Sequence, residues 1–323
     1  MLIAELLRFA LTAREWNVGL VGVTLEDLIT AAENGDSAIS DAGVSWLKKP
    51  WFVRSRADPF LLKHEGRLFL FYEELLGFSK RGRLCVTQVP EKGGGARSSR
   101  AMLRLPCHAS YPYVFEHAGG LYCIPETADC QEVALYRSEH PFGPWRKQCT
   151  LLSGEPLLDC SIIGFSERWW LFCSIRESEV NAYYPDLLIF HASDIEGPWK
   201  PHALRPAKTD SHSARPAGRP FVVDGTLYRP GQDCLPRYGG RVAINRVLVL
   251  SPEEFEEETC CFLQPDSSGQ YRKGLHTVTQ AGGIVAIDGL RTYLTLNPYK
   301  VVSGLFGIRA RKLGWIRQYQ QQL

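Results

Sequence analysis

Short apolar segments recur along the chain, and each is followed by a turn and a second alternating or aromatic segment. Apolar and polar residues that alternate on both sides of a turn holding Gly or a charged pair predict a β-hairpin. Five such hairpins each begin at a distinctive residue pair: Asp58-Pro59, Tyr111-Pro112, Asp159-Cys160, Arg215-Pro216 and His276-Thr277. Their starting positions are 53, 48, 56 and 61 residues apart, so the pattern is a repeat.

The length of this repeat predicts the fold class. A four-stranded propeller blade takes about 40–50 residues. Five repeats therefore predict an all-β, five-bladed β-propeller with blades that start near residues 58, 111, 159, 215 and 276. Gly-Pro-Trp triplets at 143–145 and 197–199 recur with a similar spacing. A pair of β-sandwiches is the alternative, but only a propeller gives a reason for a distinctive residue to lead every repeat.

Short helices are predicted around the repeat. Apolar positions at helical spacing over residues 2–11 indicate an amphipathic helix. A second helix is predicted over residues 24–34, where Thr24 and Asp27 form a capping box. Ser251, followed by Pro and two acidic residues, predicts the start of an inter-blade helix.

These elements divide the chain in two. Residues 1–49 are predicted to form a helical or extended segment that packs on the propeller, and residues 50–323 to form the propeller. Glu5 and Arg8 interrupt the first apolar run, so it lacks the core of a signal peptide. No stretch reaches the length of a transmembrane segment. We therefore expect a cytoplasmic protein whose ten cysteines, none in a C-x-x-C pair, are reduced and bind no metal.

The charge balance excludes one class of partner. Lys and Arg number 37 against 35 for Asp and Glu, a net charge of +2. Nucleic-acid binding needs a clear basic excess or a basic face, so no nucleic-acid partner is expected. After Asp288 the chain carries six basic residues and no acidic one. This basic tail is a candidate for contact with an anionic membrane surface.

The propeller prediction brings the leading residues of the repeats together. The innermost strand of each blade lines the central channel, so we expect one funnel to collect Asp58, Tyr111, Asp159, Arg215 and His276. The ends of the following strands add a second layer of Glu73 or Glu74, Glu126, Asp233 and Asp288. Aromatic residues near the funnel, Trp170 among them, are candidates to stack on sugar rings, although blade-to-blade packing is the commoner role.

Carboxylates that face one pocket suit the cleavage of a glycosidic bond. One carboxyl protonates the leaving oxygen, and the other acts as nucleophile or activates water. The candidate catalytic residues are Asp58, Asp159 and Glu126. Arginine at such a place needs a carboxylate or a phosphate as partner. The candidate substrate-binding residues are Arg215, His276, Tyr111, Glu73, Asp233 and Trp170.

The Ala57-Asp58-Pro59-Phe60 segment, Leu158-Asp159 and the histidine of the fifth repeat resemble the five-bladed propeller glycosidases, the arabinanase, xylosidase and invertase group. The resemblance implies that Asp58 is the base or nucleophile and that Asp159 adjusts the pKa of the acid. It also implies that His276 lies near the axis, where that group often binds calcium. No other metal or cofactor is expected.

The chain departs from that group at the general acid. A Glu before Gly-Pro is expected on the fourth inner strand, but this position holds Arg215-Pro216-Ala217-Gly218. Glu126 and Asp233 remain as candidate acids, although neither follows the group's pattern. An arginine here would suit a donor with a good leaving group, such as a sugar phosphate or a nucleotide sugar.

A second resemblance covers nearly the whole chain. The segments that carry it are WNVG (16–19), ADPF (57–60), YCIPET (122–127), LLDCS (157–161), GPW (197–199), ARPAG (214–218), LYRPGQDC (227–234) and INR (244–246). They are similar to the N-terminal domain of glucosamine inositolphosphorylceramide transferase. Three functions stay open: glycosyl transfer or glycoside hydrolysis in the funnel, non-catalytic recognition of a glycan or glycolipid, and a protein-interaction propeller.

Overall fold

The computed structural model of the chain describes residues 12–77, 79, 81–90, 99–176 and 186–294. The strands of these residues form five sheets of four or five strands each. The predicted five-bladed β-propeller is therefore confirmed. The predicted helix over residues 2–11 and most of the basic tail lie outside the described residues. Among the residues described, no helix is long and apolar enough to cross a lipid bilayer.

The elements before the first repeat are mostly short. They are β1 (Thr12–Val21), helix α1 (Leu25–Glu33), β2 (Ala38–Ile39) and β3 (Val44–Trp46). Helix α1 confirms the predicted capping box, because the Asp27 N–H donates to the Thr24 hydroxyl and the Thr24 N–H donates to the Asp27 carboxylate. Leu25 of this helix is buried against an apolar cluster that includes Ile39.

The first four blades are built from successive antiparallel strands. Blade 1 holds β4 (Val53–His64), β5 (Arg67–Leu76), β6 (Gly82–Val89) and β7 (Arg100–Ala101). Blade 2 holds β8 (Ser110–His117), β9 (Gly120–Glu126), β10 (Glu132–Ser138) and β11 (Arg146–Ser153). Blade 3 holds β12 (Leu157–Phe165), β13 (Arg168–Ile175), β14 (Asp186–Ala192), β15 (Lys200–Pro201) and β16 (Lys208–Thr209). Blade 4 holds β17 (Phe221–Val223), β18 (Thr226–Asp233), β19 (Arg241–Leu250) and β20 (Phe255–Pro265), with β2 at its edge.

The fifth blade joins the two ends of the described chain. Its strands are β21 (Val278–Ala281), β22 (Ile284–Leu294), β1 and β3. Strand β1 pairs with β22 over ten residues, from Thr12 opposite Leu294 to Val21 opposite Val285. The sequence led us to expect a separate segment that packs on the propeller. Residues 12–46 instead belong to the propeller itself. They supply strands to the ring, because β1 covers an edge of β22 that would otherwise stay unpaired.

The predicted helix at Ser251 is replaced by a turn. Only four residues separate β19 from β20, and the Ser251 N–H donates to the Glu254 carbonyl at 2.9 Å. The Ser251 hydroxyl accepts the N–H groups of Glu253 and Glu254, which is how serine caps a helix start. The prediction was wrong because the same local capping chemistry also stabilises a tight hairpin.

The repeated Gly-Pro-Trp triplets have one structural role. Trp145 and Trp199 are both buried, and each indole N–H donates to the carbonyl oxygen of the residue four positions earlier, at 3.1 and 3.2 Å. Both rings belong to the largest apolar cluster, which joins blades 1, 2 and 3. The triplets therefore mark packing between blades.

Candidate active site

The inner strands of the first three blades share a bulge at the funnel. Asp58, Tyr111 and Asp159 have φ angles of 53°, 43° and 53°, a left-handed conformation that few non-glycine residues adopt. The strand register shifts at each of them, so one blade edge carries an extra residue there. The bulge re-aims the strand locally, and the three backbone N–H groups each donate to a carboxylate from another part of the ring.

One wall of the funnel, which we call the histidine side, consists of Asp58, His276 and Asp288. The imidazole of His276 lies between the two carboxylates, with Nε2 3.1 Å from Asp58 Oδ1 and Nδ1 2.9 Å from Asp288 Oδ2. Burial alone would lower the pKa of His276, but Asp288 and Asp58 outweigh it and hold this pKa well above its usual value. His276 is therefore an imidazolium at neutral pH.

The carboxylate of Asp58 receives hydrogen-bond donors from two further blade elements. The Thr277 hydroxyl donates to Oδ1 at 3.1 Å, and the Tyr111 N–H donates to Oδ2 at 3.2 Å. The N–H of Asp58 itself donates to Asp288 at 3.1 Å. Each oxygen of the Asp58 carboxylate therefore accepts a hydrogen bond from a neighbouring element.

The opposite wall, the arginine side, consists of Glu126, Asp159 and Arg215. Arg215 Nε donates to Asp159 Oδ2 at 2.5 Å, and the Gln232 amide donates to the same oxygen at 2.9 Å. The Asp159 N–H donates to Glu126 Oε2 at 3.1 Å. Burial, reinforced by Asp159, raises the pKa of Glu126 well above its usual value although Arg215 opposes the rise. Glu126 therefore keeps its proton to a higher pH than an exposed glutamate does.

A third carboxyl, Glu73, stands beside the histidine side. Burial, and next the charge of Asp58, raise the pKa of Glu73 to about 8. His108 Nδ1 accepts the Gly82 N–H at 2.8 Å, so the ring proton is on Nε2, which lies 3.7 Å from Glu73 Oε1. Gly82 makes room for this pair, because a Cβ there would lie 2.0 Å from Glu73 Oε1.

These walls enclose a cavity of about 210 Å³. It is lined by Trp16, Ala57, Asp58, Glu73, His108, Ser110, Glu126, Asp159, Arg215, Tyr238 and His276. Six predicted site residues, both candidate catalytic aspartates among them, are thus brought together. Ligand pockets typically measure 300–1,000 Å³, so this cavity suits one small group better than an extended chain.

Two aromatic residues of the lining were not predicted. The Trp16 ring centroid is 4.2 Å from that of His276, and the Tyr238 ring is 5.3 Å from His276. The Arg215 guanidinium lies 5.0 Å from the centre of the Tyr238 ring. Neither aromatic belongs to a hairpin repeat. Trp16 opens the WNVG segment, which is the one sequence signal that pointed to it, and Tyr238 has none.

Tyr111 does not line the cavity, contrary to its predicted role in substrate binding. Its hydroxyl accepts the Gly218 N–H at 2.7 Å and lies 2.9 Å from the Ser161 hydroxyl. The ring is fully buried in the core. Only the backbone N–H of Tyr111 serves the site, through Asp58.

Asp233 and Trp170 also lie away from the cavity lining. The buried Asp233 carboxylate faces His212 at 3.0 Å and Arg241 at 2.7 Å, so it forms ion pairs at the end of β18. Trp170 is buried in an apolar cluster, and its indole N–H donates to the Phe165 carbonyl at 3.1 Å. Each strand of a blade has side chains on two faces, and the strand pattern alone does not say which of them meet the funnel. The sequence therefore could not separate Asp233 and Trp170 from the residues that line the cavity.

The first resemblance implies a calcium near His276, and three residues there could hold a metal ion. One ligand atom from each of Asp58, His276 and Asp288 lies within 4.8 Å of the others. Calcium takes six to eight oxygen ligands, so the two carboxylates would supply only part of its coordination shell. The calcium therefore stays a prediction.

The comparisons with known proteins agree with this architecture. A family model described as "Glucosamine inositolphosphorylceramide transferase 1, N-terminal" matches residues 40–276 of the chain. The chain belongs to this family. The matched residues include His276 and every strand of blades 1 to 4 except the edge strand β2.

Members of this family with curated names are much longer than this chain. Glucosamine inositolphosphorylceramide transferase 1 of Oryza sativa subsp. japonica is 33% identical over 203 residues, which are 62% of this chain and 27% of the rice protein. The protein of the same name from Arabidopsis thaliana is also 33% identical over 203 residues, 62% of this chain and 26% of the relative. The chain thus spans about a quarter of the length of these relatives.

Solved structures resemble this family member in fold alone. The catalytic domain of the Coprinopsis cinerea GH62 α-L-arabinofuranosidase matches with a TM-score of 0.56 and 15% identity, over 73% of this chain and 81% of that one. CoXyl43, a GH43 β-xylosidase/α-arabinofuranosidase from a compost microbial metagenome, matches with a TM-score of 0.52 and 10% identity, over 76% and 92%.

Proposed function

We propose that the funnel binds a sugar-containing ligand and acts on its glycosyl bond, by transfer or by hydrolysis. The observation that carries the proposal is a pair of carboxyls in one cavity with different surroundings. Asp58 accepts donors from Thr277 and Tyr111 and lies 3.1 Å from His276 Nε2, whereas burial and the nearby Asp159 raise the pKa of Glu126 well above its usual value. Glycosyl chemistry uses such a pair, one as base or nucleophile and one as acid.

The roles follow from the contacts of each carboxyl. Asp58 is the base or nucleophile, because its negative charge is stabilised by donors that stay in place through the reaction. Glu126 is the general acid, because burial and the nearby Asp159 raise its pKa and keep its proton on to a higher pH. Arg215 fixes Asp159, and Asp159 in turn holds Glu126 through its N–H. Asp159 therefore positions the acid and adjusts its pKa.

The cavity lining supports a sugar as the ligand. Glu73 and the Nε2–H of His108 supply donors for hydroxyl groups. Trp16 and Tyr238 supply aromatic rings beside these polar groups, the combination that binds the apolar face and the hydroxyl edge of a sugar. The family name refers to glucosamine, an amino sugar, and the fold neighbours are named as an arabinofuranosidase and a β-xylosidase/α-arabinofuranosidase. These names support the same ligand class.

A non-catalytic glycan- or glycolipid-recognition module is the second candidate. The observation in its favour is that Asp58 and Asp159 are held by internal donors on several atoms, Asp58 by Thr277 and His276 and Asp159 by Arg215 and Gln232. Such carboxylates are rigid acceptors for sugar hydroxyls. An enzyme and a recognition module differ in turnover, so the test measures turnover and binding together.

The test replaces Asp58 by Asn in the full chain. Asparagine tolerates a positive φ angle, so we expect the fold to persist. Turnover of aryl glycosides or consumption of a nucleotide sugar should fall by about 10²–10⁴-fold, with less than about a tenfold change in sugar affinity by calorimetry. Glu126→Gln should lose turnover of alkyl glycosides, which need a proton, more than that of nitrophenyl glycosides, which have a good leaving group.

Asp224→Asn is the matched control. Asp224 also has a positive φ angle, 48°, but it lies at the turn between β17 and β18 and does not line the cavity. The Asp224→Asn variant should turn over the glycosides or nucleotide sugar and bind the sugar as the native chain does. Sugar binding by the native chain without turnover of any glycoside or nucleotide sugar would favour the recognition module and reject the enzyme.

A further inference from the structure

A basic groove of about 390 Å³ lies next to the funnel, between the loop that joins β18 to β19 and the segment before His276. Four of its lining residues are basic: Arg237, Arg241, Arg272 and Lys273. Gln264 and Ser267 add polar side chains, and none of the lining residues is acidic. The groove is therefore a concentrated positive surface in a chain whose net charge is only +2.

Among the residues that the structure describes, three of the four cations make no side-chain ion pair. Arg241 is compensated, because its Nε lies 2.7 Å from Asp233. For Arg237, Arg272 and Lys273, no hydrogen bond or ion pair of the side chain exists within the described part of the chain. Like charges gathered in one concavity repel each other. Their repulsion is relieved when an anion binds between them.

The groove and the funnel share a wall. Arg237 precedes Tyr238, which lines the funnel. The Leu275 N–H donates to the Gly239 carbonyl at 2.9 Å, so the loop and the segment before His276 are held side by side. An added Cβ at Gly239 would lie 2.9 Å from the Cβ of His276, which shows how closely the loop meets the histidine side. The same loop thus lines the groove at Arg237 and the funnel at Tyr238.

We propose that this groove binds the phosphate group of a ligand whose sugar occupies the funnel. Arginine forks and a lysine ammonium are the donors that match phosphate oxygens. Arg215, the residue that the sequence suggested for a phosphate, donates to Asp159 instead. The sugar part of this inference rests on the proposed function, and the phosphate part does not. A nucleotide sugar and a phosphoinositide headgroup share this phosphate chemistry.

The experiment measures binding of three probes to the full chain. The probes are pyrophosphate, a nucleotide sugar such as UDP-glucose, and phosphatidylcholine vesicles with and without phosphatidylinositol. The Arg272→Gln/Lys273→Gln double variant should bind the recognised probe about tenfold or more weakly, and salt should weaken the native binding. Arg237→Gln is a second groove variant with the same expected direction. Melting temperatures check that every variant is folded.

The Arg67→Gln/Lys200→Gln variant is the matched control, since it removes the same charge from exposed positions that line neither cavity. It should bind as the native chain does. An equal loss in this control, or equal binding by native and groove variants, would overturn the proposal. Preference for UDP-glucose over vesicles identifies a soluble phosphate donor, and preference for phosphatidylinositol vesicles identifies a headgroup. If pyrophosphate is the one probe that binds, and the groove variants weaken its binding, the groove is a site for free phosphates.

Asp58→Asn separates this test from the funnel chemistry. Asp58 does not line the groove, so this variant should bind pyrophosphate like the native chain. If Asp58→Asn retains full turnover while the groove variants lose phosphate binding, the proposed catalytic role fails and the groove stands. If turnover falls as expected in Asp58→Asn and the groove variants bind phosphate normally, the phosphate site is rejected and the proposed function of the funnel is supported.

Discussion

The two sides of the funnel meet the same electrostatic demand with different cations. Each gathers carboxyl groups in a buried place, and each needs positive charge to keep them there. On the histidine side, His276 faces a carboxylate with both ring nitrogens. On the arginine side, Arg215 faces Asp159, and a second carboxyl, Glu126, keeps its own proton to a higher pH than usual. Both sides therefore hold one proton that can dissociate, on nitrogen in the first and on oxygen in the second.

This difference decides which of the two cations can lose its charge as the pH changes. Arginine stays charged throughout the range in which proteins are folded, so the charge on Asp159 is always compensated. Histidine can lose its proton, although Asp288 and Asp58 outweigh burial and hold the pKa of His276 well above its usual value. The cation that can be lost is thus the one that faces Asp58. Three substitutions test this difference between the two sides.

The largest effect is expected from Arg215→Met. The variant leaves the buried Asp159 charge without its cation, so the free energy of unfolding at neutral pH should fall by about 3–5 kcal/mol. Denaturant unfolding at neutral pH measures this loss. A loss below about 1 kcal/mol, the value of an exposed ion pair, would mean that Asp159 is not a buried charge.

The second effect is a change in the pH dependence of stability in Glu73→Gln. The pKa of Glu73 is raised from 4.5 to about 8 by burial and by Asp58, so the folded state holds this proton more tightly than the unfolded state. Stability from this group is present below about pH 4.5 and is lost as pH rises towards 8, with a slope of up to about 1.4 kcal/mol per pH unit.

The Glu73→Gln variant should lack this part of the slope, while Glu65→Gln, an exposed substitution at the turn after β4, should keep it. The loss that belongs to His276 begins above its unfolded pKa of 6.5 and should remain in both variants. Unfolding by denaturant from pH 4.5 to 6.5 therefore measures the slope that belongs to Glu73. Equal slopes in the native chain and in Glu73→Gln would contradict the assignment.

The smallest effect is expected from Tyr238→Leu, which removes the ring that lies between the two sides. The ring faces the Arg215 guanidinium at 5.0 Å and His276 at 5.3 Å. A cation–π contact of this kind contributes about 0.5–2 kcal/mol. We expect a stability loss of that size and a several-fold weaker sugar affinity by calorimetry. A double-mutant cycle with Arg215→Met should give a nonzero coupling energy, and additive losses would mean that the two residues act independently.

The sequence predicted the five repeats. It predicted site residues that belong to a repeat, but not Trp16 and Tyr238, which lie outside the repeats. Asp58, Asp159 and His276 lie at equivalent points of their blades, so their spacing alone placed them in one funnel. Tyr111 holds the same point in blade 2, yet its side chain enters the core while its N–H serves Asp58. Both aspartates share the bulge and a positive φ angle with Tyr111, so the difference lies in the side chain: the Tyr111 ring fills the apolar core, where its hydroxyl meets Gly218 and Ser161.

Residues from outside the repeat could not be found in this way. Trp16 reaches the cavity because β1 pairs with β22, a contact between the two ends of the described chain. Tyr238 reaches it from a loop. Asp288 was predicted as part of a second layer, but its contact with both ring and backbone of His276 depends on packing across the fifth blade. Long-range pairing of this kind leaves no periodic signal along the chain.

The pairing of β1 with β22 also sets the order in which the molecule can be completed during synthesis. Domains begin to fold from the end that leaves the ribosome first, yet Thr12 must wait for Leu294 before its strand has a partner. Contacts so distant in sequence form slowly. Glu126, Asp159 and Arg215 are all translated before Asp288 on β22. A nascent chain can therefore assemble the arginine side first, and the histidine side is complete only when the ring closes.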